Sequence, residues 1–147
     1  MGTTTTNQPA SYQPPAPSAA DQAMQKVANR LTELCAVGKY KEALTELYAD
    51  NARHVEAMEM PDCSRITEGK AALMEKGEKF DRTTTVHDQS CSKPLINGDQ
   101  FACTMSMDVT CSEGPMAGQR MKMEETALYT VKNGKITEGK FFYSCGG

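Results

Sequence analysis

Near residue 83 the hydrophobic repeat of this chain changes from helical spacing to strict alternation, so any fold it adopts must join a helical half to a sheet. In the first half, Ser18 with Asp21 three residues on resembles a capping box. The apolar stripe Met24, Val27, Leu31, Leu34 and Cys35 then predicts a first helix that ends near Gly38. Tyr40, Ala43, Leu44, Leu47 and Tyr48 predict a short second helix. Arg53 to Met60 reads as a strand stopped by Pro61, and a third helix is expected from about Gly69 to Phe80, with Leu73, Gly77 and Phe80 inward. Beyond the switch, Thr84 to Ile96 reads as a strand, and Asn97-Gly98 as a hairpin turn. Phe101, Cys103, Met105, Met107 and Val109 then share one face of a strand, and Thr104, Ser106, Asp108 and Thr110 the other. After a longer turn around Gly114–Gly118, Met121, Met123, Glu125, Ala127, Tyr129 and Val131 share the next strand's face. Asn133-Gly134 makes a second tight hairpin into a last strand, Lys135 to Ser144. Three helices with one strand among them, followed by an antiparallel meander, predict an α+β fold with the helices packed on one face of a curved sheet.

The chain has 147 residues, enough for one domain with one core. Aromatic residues are 6% and Trp is absent, so that core must be built from aliphatic side chains and ten Met. Residues 1–18, with four consecutive Thr and four of the seven Pro, have little to bury and read as a disordered tail before a domain at 19–147. No apolar run approaches the roughly 18 residues of a membrane helix, so no membrane partner is expected. A formal charge of −3 and a pI near 5.4 argue against nucleic acid. The six Cys, at 35, 63, 91, 103, 111 and 145, form no C-x-x-C pair. The first 25 residues hold no Lys or Arg and no apolar core of a signal peptide. Free thiols in a reducing, cytoplasmic setting are therefore expected rather than disulfides. Met1-Gly2 with Thr6 also satisfies the loose N-myristoylation pattern. There is no Gly-rich phosphate loop, G-x-S-x-G or dinucleotide fingerprint, and no cofactor is expected.

Three titratable groups are candidates for chemistry. His54, Glu56 and Met58 alternate along the predicted first strand and so share a face. A carboxylate among apolar neighbours has its charged form disfavoured, which is how such a group becomes a base near neutrality; the alternative for Glu56 is a polar strand face in water. Glu125 shares its face with apolar residues, where a lone carboxylate is costly unless paired. The alternative is a β-bulge that turns Glu125 out and Glu124 in. His87 could act as acid or base or hold either Glu in place; the alternative is a partly exposed strand histidine. His54, Glu56 and His87 could be read together as metal ligands, but only these two His exist and no Asp is placed with them, so no metal is expected. Met105, Met107 and Met123 read as an adaptable apolar wall.

The phrases Tyr48-Ala49-Asp50-Asn51-Ala52 and Asn133-Gly134-Lys135-Ile136, in this helix–strand order, resemble the nuclear transport factor 2-like superfamily, in its SnoaL-like and ketosteroid isomerase-like branch, over about residues 20 to 145. The resemblance implies a cone-shaped half-barrel, three N-terminal helices on a strongly curved, mainly antiparallel sheet, with an apolar pocket and dimerisation through the sheet. It places Glu56 where ketosteroid isomerases carry their general base, Tyr48 at a pocket tyrosine and Tyr143 at an aromatic position at the pocket mouth. It also places Ala127 where an acid/base Asp is found and Leu31 where an oxyanion Tyr is found, so neither family mechanism carries over whole.

Together these readings predict a cofactor-independent acid/base enzyme of isomerase, cyclase or dehydratase type, acting on a small apolar carbonyl compound. Glu56 would be the base and His87 or Glu125 the acid or stabiliser. Tyr48, Tyr129 and Tyr143, with His54 and the Met wall, would form the binding surface. The alternative is a non-catalytic small-molecule binding or dimeric interaction module of the same fold. A homodimer through the sheet is expected in either case.

Overall fold

The computed structural model describes residues 2, 9–61 and 63–144. Cys145 and the residues after Gly2 in the N-terminal myristoylation pattern lie outside them. Residues 9–17 are exposed and carry no helix or strand.

Helix α1 spans Ala19–Ala36. Ser18 is its N-cap: the Ser18 hydroxyl accepts from the Asp21 backbone and the Asp21 carboxylate accepts from the Ser18 backbone, the reciprocal bonds of a capping box. At the other end Gly38, at φ +76°, lets Lys39 N–H reach the Leu34 carbonyl at 2.9 Å and closes a Schellman turn. Helix α2 (Tyr40–Leu47) follows at once, and strand β1 begins directly at its end, Tyr48–Val55. The expected strand at Arg53–Met60 is thus displaced toward the N-terminus. Glu56 N–H still bonds the Arg65 carbonyl at 2.7 Å, but Ala57 and Met58 bend away before a Met60–Cys63 bridge, which takes Met58 off the strand face. A three-residue strand the periodicity does not reveal, β2 (Ile66–Glu68), pairs antiparallel with β1. Helix α3 (Lys70–Thr83) carries the chain to the sheet.

The long strand expected at Thr84–Ile96 is two strands, β3 (Thr84–Cys91) and β4 (Leu95–Asn97), separated at Pro94, which has no N–H to donate to a ladder. Both pair with β5 (Gln100–Cys111), which turns into β6 (Arg120–Lys132) and β7 (Lys135–Phe142). The β6–β7 turn holds Asn133 at φ 51° and Gly134 at φ 75°, the positive pair that a type I′ hairpin needs. The sheet order is β2-β1-β7-β6-β5-β3, with β4 pairing β5. All pairs are antiparallel except β1 with β7. The fold is α+β, with three helices against one face of a curved, open sheet.

Alternation on β5 places Phe101, Cys103, Met105 and Val109 in the buried interior as predicted. Leu31 and Leu34 of α1, Leu44 and Leu47 of α2 and Leu73 of α3 form one core cluster with Phe101, Cys103 and Met105. Among the described residues no helix is long and apolar enough to cross a membrane.

Candidate functional site

The three helices do not fill the concave side of the sheet. They leave a cavity of about 740 Å³ lined by Leu31, Ala43, Leu44, Leu73, Met74, Phe80, Met105, Met107 and Phe141, with a small set of polar groups among them. Tyr48, His54, Glu56, Glu125 and Tyr129 all face this space with Met105 and Met107, so seven of the residues singled out in the sequence are brought together.

Glu125 holds its inward position because the β5–β6 register runs without a break from Gln100↔Thr130 to Thr110↔Arg120. The bulge that would have turned it out is absent from this pair of strands. Burial pushes its carboxyl up to about 7, the negative charge of Glu56 adds to the rise, and Lys76 opposes it. Ala127, two residues along the same face, is fully buried and offers no proton. Position 127 therefore carries a methyl and position 125 the carboxyl.

Glu56 is not the isolated carboxylate expected. Its Oε1 lies 2.7 Å from Lys76 Nζ and its Oε2 accepts from the Tyr143 hydroxyl at 3.1 Å. Sequence reading missed Lys76. The signal was present, since Leu73, Lys76, Gly77 and Phe80 recur at helical spacing on the inward stripe of α3, with a cation where the pattern calls for an apolar residue.

His54 and Tyr48 sit six residues apart on β1, and both pair with β7 on either side of a register shift. The Tyr48 hydroxyl is 2.8 Å from His54 Nε2. With the imidazole proton on Nδ1, Nε2 accepts from Tyr48. Burial, helped by the Lys76 charge, lowers the His54 pKa to about 3, so the ring is neutral at physiological pH. Burial raises the Tyr48 and Tyr129 hydroxyls, which keeps them protonated. Gly139 makes this crowding possible. It pairs with His54 on one side and Tyr129 on the other, and a Cβ there would lie 3.1 Å from both rings. Phe141 packs edge-on against His54, with ring centres 4.8 Å apart.

Four candidates stand outside the cavity lining: His87, Met58, Met123 and Tyr143, the last of which reaches Glu56 through its hydroxyl. The pairing of β3 with β5 slips between Val86 and Asp88, and this irregularity leaves His87 exposed and bonded to Thr110 at 2.7 Å. It therefore joins neither Glu56 nor Glu125. Met123 keeps the inward parity but is 44% exposed, because on β6 the cavity wall ends at Glu125. Met58 lies in the bend after β1 and is not part of the wall. Among the described residues no group of three His, Cys, Asp or Glu is placed to hold a metal ion.

The model of the SnoaL-like domain matches residues 22–143. A candidate SnoaL-like polyketide cyclase from Mesorhizobium loti superposes with a TM-score of 0.75 at 40% identity, over 82% of this chain and 98% of that one. A candidate polyketide cyclase from Xanthomonas campestris (TM-score 0.62, 17% identity, 84% of this chain and 91% of that one) shares the fold. So does a protein of ketosteroid isomerase-like fold from Catenulispora acidiphila (TM-score 0.61, 14% identity, 81% and 85%). No curated protein matches. A family match across the helices, the sheet and every wall of the cavity leaves one conclusion: the chain belongs to the SnoaL-like domain family of the nuclear transport factor 2-like superfamily.

Proposed function

We propose that this protein is a cofactor-independent acid/base enzyme of isomerase, cyclase or dehydratase type, and that it moves a proton on a small, largely apolar carbonyl compound held in the cavity. The observation that carries the reading is Glu125, a carboxyl at about 7 in an apolar cavity. A proton carrier works best with its pKa near the working pH, where it is charged often enough to accept and acidic enough to return the proton. As carboxylate, Glu125 removes a proton from carbon next to the carbonyl; as acid, it delivers that proton to a second atom. The Lys76 ammonium, in the same cavity, meets the negative charge that develops on the carbonyl oxygen. The base role passes from Glu56 to Glu125 because Glu56 is already ion-paired.

The test is solvent deuterium incorporation into a panel of enolisable ketones and 1,3-dicarbonyl compounds of cavity size, followed by proton NMR. Wild type exchanges, with a rate that rises as pH passes about 7 and then levels, and Glu125→Gln loses about 100-fold or more. Wild-type exchange no faster than buffer across the panel overturns the reading in favour of a binding module.

The same proposal includes a homodimer through the outer sheet face and a reducing, cytoplasmic setting. In support, Thr104, Ser106 and Thr126 share a groove there with Phe142, which is 54% exposed. The described cysteines Cys35, Cys63, Cys91, Cys103 and Cys111 are free thiols. Light scattering at micromolar concentration gives twice 16.0 kDa; the monomer mass overturns the dimer.

A further inference from the structure

Of the charged side chains that line the cavity, Lys39, Lys41, Glu42, Glu46, Glu78 and Asp81 are exposed at its rim, and three are half-buried within it: Glu56 from the bend after β1, Lys76 from α3 and Glu125 from β6. Glu56 is held at both oxygens, by Lys76 at 2.7 Å and by Tyr143 at 3.1 Å, and the side chains of the ion pair are only 15% and 31% exposed. Charges this far out of water act on their neighbours with little screening. We infer that the Lys76–Glu56 ion pair, pinned by Tyr143, is a positioning device that governs when Glu125 takes up and releases its proton. This rests on the proton-transfer role proposed for Glu125.

The other titratable groups around Glu125 supply no comparable charge. Cys35 of α1 is pushed up to about 12 by burial, and Tyr40 of α2, Cys103 of β5 and Tyr129 of β6 are raised as well, so all four are neutral near pH 7. Cys91 of β3, whose thiol is lowered by its bond from Cys103, lies beside Cys35 and Cys103. Two opposed influences of fixed charge remain. Glu56 discourages ionisation of Glu125 and Lys76 favours it, so the pair acts on Glu125 as a balance whose two arms can be removed separately.

The experiment titrates the Glu125 side-chain carboxyl by carbon-13 NMR in the full chain labelled at glutamate, with Glu125→Gln identifying the signal. Lys76→Met leaves the Glu56 charge unopposed and raises the Glu125 midpoint by about half a pH unit or more. Glu56→Gln leaves the Lys76 charge unopposed and lowers it by a similar amount. Lys76→Arg keeps the charge and retains the wild-type midpoint. Opposite signs are the diagnostic, because a merely structural role would let water into the cavity in both variants and lower both midpoints. A fall in both, or a shift in neither, overturns the inference and leaves proton transfer by Glu125 standing. A wild-type Glu125 that titrates in the ordinary carboxylate range removes the reading on which it rests. Should Glu56→Gln fail to fold, the Lys76→Met and Lys76→Arg pair still decides: a raised midpoint in the first, restored in the second, supports the inference, and any other result overturns it.

Discussion

The Tyr48 hydroxyl stands 2.8 Å from Nε2 of His54, and the imidazole there is neutral because burial lowers its pKa to about 3. A histidine held neutral in the folded state contributes stability that is complete above its unfolded pKa near 6.5. That contribution is lost as pH falls toward 3, at up to about 1.4 kcal/mol per pH unit. His54→Gln is expected to flatten this acid arm while losing about 1–3 kcal/mol at pH 7 from the missing ring contact with Phe141. Thermal melts from pH 3 to 7 check it. An acid arm of unchanged slope would show that another group unfolds the protein.

Glu125 pulls the other way. Its folded pKa is raised from 4.5 to about 7, so its contribution is greatest below 4.5 and is lost as pH rises to about 7. Between roughly 4.5 and 6.5 the two slopes oppose each other. Glu125→Gln is expected to be more stable than wild type at pH 8 and to expose the His54 slope at lower pH. Melts of both proteins across pH 4 to 8 measure this, and a variant less stable at pH 8 counts against a carboxyl held there at a cost to folding.

Gly139→Ala is a packing test of the same region. Its new Cβ would meet His54 Cδ2 and Tyr129 Cε1 at 3.1 Å, too close unless both rings shift by a few tenths of an ångström. A loss of about 1–3 kcal/mol is expected. Denaturant unfolding with an unchanged midpoint would show that the rings have room to yield.

Removal of residues 1–17 is expected to leave the melting temperature within about 2 °C of the full chain, because residues 9–17 are exposed and bury nothing. Ser18 has to stay. Ser18→Ala breaks one arm of the α1 capping box and is expected to lose about 1 kcal/mol. Calorimetry on the two proteins separates tail from cap.

The sequence was most legible where one physical rule acts alone. The Ser18–Asp21 cap, the Phe101-to-Val109 alternation and the Asn133-Gly134 turn each depend on local geometry, and each stands where periodicity placed it. Legibility failed where a neighbour decides. The three residues of β2 pair with Arg53, His54 and Val55 of β1, and the Asp50-Asn51 stretch of β1, of poor strand propensity, falls where the register with β7 shifts between Tyr48 and Arg53. At the site, parity put Glu125 in the wall correctly but could not report the slip that turns His87 out, nor the end of the wall before Met123. The Glu56–Lys76 pair joins residues twenty apart on different elements, and only the assembled cavity shows it.

The parallel pairing of β1 with β7 also constrains how the domain is made. Gly139, which seats His54, is delivered by the last strand, while His54 itself belongs to the first. A nascent chain that has emerged only through β6 has every helix of the cavity but an open seam where β7 belongs. The wall of Tyr48, His54 and Phe141 closes only after synthesis passes Phe142. Long-range closure of this kind is slow relative to helix formation. A chain that stops before β7 therefore lacks Phe141 from the cavity wall and Ile136 from the core, and leaves β1 and β6 without the strand that joins them.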